Sequence, residues 1–173
     1  QILGVAVLLG IGLAPQHTSA RLFREIVVLG DSISDMGNVR AATRSVRPRP
    51  IPVSPPYLAG RFSNGPVWVE HLGAQWGLTL APSLEGGLNF AFGGAEIAAD
   101  TRNFLERDLG ALIPSLRTQL DTFLLSQLFD DVDPATLYVV WGGANDIRKA
   151  LVNGNPFREA QAAVAALADI ISD

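Results

Sequence analysis

The stretch EIVVLGDSISDMGN, residues 25–38, decides how the rest of the chain is read. Its run from Ile26 to Leu29 is apolar without interruption, as a parallel strand covered on both faces requires. Gly30 ends the run, and Ser32 follows directly after Asp31, with Asp35 close behind. A strand, a glycine turn and an Asp/Ser start fit two readings. Ser32 is either the cap of an ordinary helix or a nucleophile presented at a strand end. The choice depends on what else the chain brings to that edge.

Downstream, RPRPIPVSPPYLAG (47–60) carries five prolines, which forbid a helix and remove ladder donors, so an ordered surface loop is expected. Its place soon after Ser32 suits both a wall of a substrate cleft and a plain connector. NGPVWVEHLGAQWG (64–77) predicts a helix capped by Asn64 or Gly65, with Pro66 in its first turn and Val69, Leu72 and Trp76 on one face. GGLNFAFGGAE (86–96) is a short apolar strand ending in paired glycines. SLRTQLDTFLLSQLF (115–129) places Leu116, Leu120, Phe123, Leu124 and Leu128 on one helical stripe. Asp133 and Pro134 break it, and Leu137 to Trp141 forms a second fully apolar strand running into GGAND. Pro156 opens a last helix with Ala160, Val164, Leu167 and Ile171 on one face.

This alternation of strands and helices predicts an α/β fold, a parallel sheet with helices on both faces. Ser32, Gly94 and Asn145 each follow the carboxyl end of an expected strand, the edge at which open parallel sheets bind ligands.

Composition narrows the function. The chain has 173 residues, 17 acidic against 13 basic, and a formal charge of -4. It offers no concentrated positive field to a phosphate backbone, which argues against a nucleic-acid partner. The arginines at 40, 44, 47 and 49 are spread among prolines and read as a solvated loop. Zero cysteines exclude disulfides, thiol catalysis and thiolate metal sites. The uncharged run Ile2 to Ala14, followed by small residues up to Ala20, is too short to span a bilayer and reads as a secretory signal over 1–20. Residues 21–173 are then part of one exported domain. Gln1 is not an initiator Met and has no basic region before it, so a clipped start is expected.

Three blocks carry a resemblance. GDSISDMGN (30–38), NFAFGGA (89–95) and GAND (143–146) resemble, in order and spacing, the first three signature blocks of the GDSL (SGNH) family of esterases and lipases. GRFSNGPVWVEHL (60–72) and YVVWGGANDI (138–147) are similar to the branch holding secreted bacterial phospholipases and plant lipases. Ile33 stands where the family's name has Leu, an apolar exchange. The resemblance implies a three-layer α/β/α fold with a flavodoxin-like parallel sheet, here incomplete. It also implies a secreted serine hydrolase acting on carboxylic esters, without cofactor or metal, on a small-molecule or lipid ester and in passing contact with lipid surfaces.

The chemistry is consistent with that assignment. Ser32, at a strand-to-helix turn, would attack the ester carbonyl. Gly94 has no side chain to block approach, and its N–H, the Asn145 amide and the Ser32 N–H would form a three-donor oxyanion hole. Asp31, Asp35 and Asp146 are expected to orient loops, and Gly93 and Gly143 to permit tight turns. The family's base comes from a D-x-x-H motif, and none occurs in these 173 residues. His17 falls in the presumed signal and His71 within a helix, so truncation is expected, with little turnover from this stretch alone. Two competing readings are a secreted glycan- or lipid-binding module of the same fold and a metal-dependent phosphohydrolase using Asp31 and Asp35. For the latter the converging carboxylates are too few.

Overall fold

The computed structural model describes residues 22–104, 107–127 and 133–173. The expected signal, His17 and Leu128 lie outside the described residues. The centre of the molecule is the parallel pair β1 (Glu25–Gly30) and β4 (Thr136–Trp141), in register from Glu25 opposite Thr136 to Gly30 opposite Trp141. Residues 88–92 run along the other side of β1. The Val28 N–H donates to Leu88 O at 3.0 Å, Phe90 N–H to Val28 O at 2.7 Å and Phe92 N–H to Gly30 O at 3.0 Å. The expected strand over 86–96 is thus a shorter ladder on β1, with Val28 and Asn89 as a parallel bridge.

Strand alternation divides the core in two. Val27 and Leu29 point into one cluster with Phe90, Phe92, Leu116, Leu120, Phe123 and Ile170. Ile26 and Val28 point into the other, with Met36, Val67, Val69 and Ala91. The first is covered by α3 (Leu116–Ser126) and α5 (Pro156–Ser172), the second by α2 (Trp68–Gln75). Helices on both faces of a parallel sheet make the three-layer α/β/α arrangement expected from the sequence.

Several elements depart from the sequence reading. Helix α1 (Asn38–Thr43) begins six residues after Ser32, with Asp31–Ser34 forming a separate turn closed by Ser34 N–H to Asp31 O at 3.1 Å. Ser32 is therefore no helix cap, and the first-turn N–H groups of α1 are held by Asp35 instead. Helix α2 is preceded by Val67 as its cap residue, not Asn64 or Gly65, because the Glu70 carboxylate reaches back to the Val67 N–H at 2.8 Å. The α3 stripe holds at Leu116, Leu120 and Phe123, whereas Leu124 is exposed. On α5 Leu167 packs half-buried against the core as expected, beside the buried Ala163 and Ile170, whereas Val164 and Ile171 are in solvent. Ala163 and Ile170 thus take the inward places expected of Val164 and Ile171, and the small Ala163 side chain lets the helix approach the core.

Two elements had no counterpart in the sequence reading. Strands β2 (Thr101–Phe104) and β3 (Arg107–Ile113) form an antiparallel hairpin that buries Leu109 and Ile113. Helix α4 (Ala144–Asn153) follows β4 directly, bounded by Gly143 and Gly154, both at positive φ. The proline segment is an ordered loop, pinned where Thr43 Oγ1 accepts the Ile51 N–H and Arg40 donates to Pro52 O. Among the described residues no helix is long and apolar enough to cross a membrane.

Candidate active site

Three neighbouring chain ends meet at the carboxyl edge of the sheet. Gly30 pairs with Trp141 on one side and accepts the Phe92 N–H on the other. Ser32 lies two residues past Gly30, Gly94 two residues past Phe92 and Asn145 four residues past Trp141. Neighbouring strands are spaced by about 4.8 Å, so this connectivity alone brings the three expected residues to one edge.

The serine turn is rigid for reasons visible in its aspartates. Asp31 is buried and accepts the Ile33 N–H at 3.1 Å. Burial pushes its carboxyl above the ordinary value, and the negative charge of Asp146 adds to the rise. Asp35 is fully buried and serves as an acceptor hub. Its Oδ1 takes the Gly37 and Asn38 N–H groups, both at 2.7 Å, and its Oδ2 takes Val39 at 3.2 Å and Gly93 at 2.9 Å. Burial outweighs these four donors and pushes its pKa up to about 6. One side chain thus joins the helix after the serine turn to the glycine pair of the second block. With both oxygens so occupied, Asp35 has nothing left for a metal ion. Among the described residues no three His, Cys, Asp or Glu side chains converge on a common point.

Gly93 and Gly94 are required for different reasons. A Cβ on Gly93 would sit 2.1 Å from the Phe62 ring, so the contact excludes any side chain there. Gly94 has φ 91, the left-handed region that glycine occupies without strain. Neither the Ser32 nor the Gly94 N–H makes a hydrogen bond among the described residues, and neither does the Ser32 hydroxyl, which is half-buried. Asn145 opens the first turn of α4 rather than a loop, and its Nδ2 donates to Ala95 O at 2.9 Å. A primary amide has two N–H donors, so one remains for a ligand. Asp146 accepts the Ile97 N–H at 3.1 and 3.2 Å, which ties α4 to the turn after Gly94.

Behind this edge lies a polar network that sequence reasoning missed. Gln119 on α3 accepts the Gly30 N–H at 2.8 Å and donates to Gly30 O at 3.0 Å, clamping the last residue of β1. Asn38 donates to Asn89 O and Ala91 O, and Asn89 donates to Ser34 O, so the first two blocks interlock. The block around residue 60 proves structural. Arg61 forms a two-pronged pair with Glu70 at 2.7 Å, and Phe62 covers Gly93. His71, the described histidine, is on the exposed side of α2. An apolar groove of about 620 Å³, lined by Val27, Leu29, Phe123, Tyr138 and Ile170 among others, includes none of Ser32, Gly94 and Asn145.

A parallel α/β sheet carrying a serine turn, a glycine pair and an asparagine on three adjacent ends is the class of protein these elements define. A family model described as GDSL-like lipase/acylhydrolase matches residues 26–173, and the chain belongs to that family. Phosphatidylcholine-sterol acyltransferase of Aeromonas hydrophila is 37% identical over 125 residues, 72% of this chain and 33% of that protein. A GDSL esterase/lipase of Arabidopsis thaliana is 37% identical over 128 residues, 62% of this chain and 31% of that protein. Thermolabile hemolysin of Vibrio parahaemolyticus is 32% identical over 123 residues, 70% of this chain and 25% of that protein. The match thus spans about a third of the length of the first relatives.

Proposed function

We propose that the protein is a secreted serine hydrolase that cleaves carboxylic esters through an acyl-enzyme on Ser32. The observation that carries this is the meeting of Ser32, Gly94 and Asn145 on three adjacent parallel chain ends, with the Ser32 and Gly94 N–H groups unspent. The Ser32 hydroxyl attacks the ester carbonyl. The Ser32 N–H, the Gly94 N–H and the second N–H of Asn145 receive the negative charge that develops on oxygen. Collapse of the tetrahedral species releases the alcohol and leaves the acyl group on Ser32, and water then releases the acid.

The base is assigned to a D-x-x-H motif outside these 173 residues, as family membership and the greater length of the relatives suggest. The names of the Aeromonas and Arabidopsis proteins favour lipid esters as substrates. Export through a signal over residues 1–20, with 21–173 contributing to a single hydrolase domain, belongs to the same proposal.

The test is labelling with a fluorophosphonate and turnover of p-nitrophenyl butyrate by the protein expressed from its full reading frame. Ser32→Ala is expected to abolish both. Asn145→Ala is expected to lower kcat by about 10²–10³ with KM little changed, the usual cost of one oxyanion donor. Labelling and turnover that survive Ser32→Ala would refute the proposal.

A further inference from the structure

Two tryptophans flank the serine turn, and nothing in the proposed chemistry uses them. Trp141 ends β4 and pairs with Gly30, two residues before Ser32. Trp68 opens α2, and its Nε1 donates at 3.1 Å to the Oγ of Ser34, two residues after Ser32. Their ring centroids are 5.9 Å apart at an interplanar angle of 59°. The rings thus contact each other across the sheet edge, next to the turn that carries the hydroxyl.

Both rings remain in water, Trp68 at 38% and Trp141 at 50% exposure, and Ile33, next to Ser32, is 47% exposed. An indole exposes mostly apolar surface, and at Trp68 the one polar atom is already spent on Ser34. What this pair offers a ligand is hydrocarbon contact. An aromatic side chain of this kind carries about 150–250 Å² of buryable surface, of which these two leave a third to a half open, and covering that remainder favours a long alkyl chain over a methyl group. The Ser34 bond fixes the Trp68 ring, so little rotamer freedom is lost on binding. Trp76, by contrast, stacks edge-on to Phe23 at 5.1 Å and is half-buried.

We propose that Trp68 and Trp141 determine acyl-chain specificity, forming the apolar wall along which the acyl chain lies when its ester carbonyl faces Ser32. This rests on the ester-hydrolase reading above. It predicts a preference for medium and long acyl chains that resides in these two side chains and not in the oxyanion donors.

The experiment is a calorimetric titration of the protein expressed from its full reading frame with octanoate and with acetate, for the wild type and the Trp68→Ala, Trp141→Ala and Trp141→Phe variants. Circular dichroism and a cooperative thermal unfolding transition establish that each variant is folded. Octanoate is expected to bind Trp68→Ala and Trp141→Ala each about tenfold more weakly than the wild type, with Trp141→Phe between them. Acetate binding is expected to be weak throughout. In the full-length protein the kcat/KM ratio of p-nitrophenyl octanoate to acetate is expected to fall by the same factor. Equal octanoate affinity in the wild type and a folded Trp141→Phe and Trp68→Ala pair overturns the proposal, as does a chain-length preference that follows the alcohol instead of the acid. Fluorophosphonate labelling absent from the wild-type full-length protein, or surviving Ser32→Ala, with octanoate binding still weakened in the tryptophan variants, would overturn the hydrolase reading and leave the wall standing.

Discussion

The two paired strands of the sheet have the same apolar character and opposite environments. β1 is buried from Ile26 to Gly30, with β4 on one side, residues 88–92 on the other and a packed cluster on each face. β4 is paired residue for residue with β1, yet Tyr138 and Trp141 are exposed and Leu137, Val139 and Val140 only half-buried. Hydropathy alone does not separate the strands. What separates them is the number of neighbours, and the candidate site is assembled around the strand that has the most.

That contrast can be broken most sharply at Asp35, the buried carboxylate that holds the surroundings of β1's carboxyl end together. Asp35→Ala leaves four backbone N–H groups without their acceptor in a buried position. An unsatisfied buried donor costs about 1–3 kcal/mol, so the expected loss is about 4 kcal/mol or more. Urea denaturation of the variant against the wild type measures it. A loss below about 1 kcal/mol would mean that the Gly93 turn is held by Phe62 alone.

The same carboxyl gives the next largest effect, in pH. Its folded pKa of about 6 lies above the unfolded value of about 3.9, so the folded state holds a proton that the unfolded state has released. Its contribution is present below pH 4 and is lost as pH rises to 6, a fall of about 3 kcal/mol. Glu70 and Asp100 act with the opposite sign. Against the cost of partial burial, hydrogen bonds from Arg61 and Val67 and from Ser115 and Thr118 hold these carboxyls low. Their contributions are complete by about pH 4.5, which leaves the window from 4.5 to 6 to the raised carboxyls. Denaturation midpoints across that window are expected to fall with rising pH, and a flat or rising profile would contradict the burial argument.

The strand comparison itself is sharpened by a matched pair. Ile26 and Leu137 face each other in register and contact the same cluster, one buried and one half-buried. Ile26→Ala is expected to cost about 3 kcal/mol, in the range for a filled core site, and Leu137→Ala about 1 to 2 kcal/mol less than that. Equal costs in thermal or urea unfolding would show that β4 is as fully packed as β1.

Much of this was legible in the sequence, and the omissions have common causes. β1, β4, α2, α3 and α5 were each announced by an uninterrupted apolar run or a stripe at helical spacing, and Ser32, Gly94 and Asn145 by their positions at strand ends. Helix α4 was missed because it buries only Ala150, so there is no stripe to read, and it starts within a Gly-Gly-Ala-Asn string that reads as a loop. The hairpin was missed because Thr101–Phe104 is mostly polar. The roles of Asp35, Asn38, Asn89 and Gln119 depend on partners 51 to 89 residues away, at Asn89 O, Gly93 N and Gly30. No local pattern carries such information. The place of Ser32 at a strand end was legible, but the five residues between it and α1 were not, since that gap arises from Asp35 capturing the N–H groups of that helix.

The smallest effect tests how α4 is fastened to the edge it completes. Three adjacent side chains reach from α4 to the turn after Gly94: Asn145 to Ala95 O, Asp146 to the Ile97 N–H and Lys149 to Glu96 at 2.8 Å. They sit at comparable distances but in unequal surroundings. Ile97 is buried, so removing its acceptor strands an N–H away from water, whereas the Lys149 ammonium is exposed and its pair is screened by solvent. Asp146→Ala is expected to cost about 1–3 kcal/mol at any ionic strength. Lys149→Ala is expected to cost less than about 1 kcal/mol, and that cost should fade in 1 M salt, where the screening length is about 3 Å. If the two variants respond alike to salt, the buried N–H is not what anchors α4, and the position of Asn145 beside Gly94 must come from the pairing of β4 with β1.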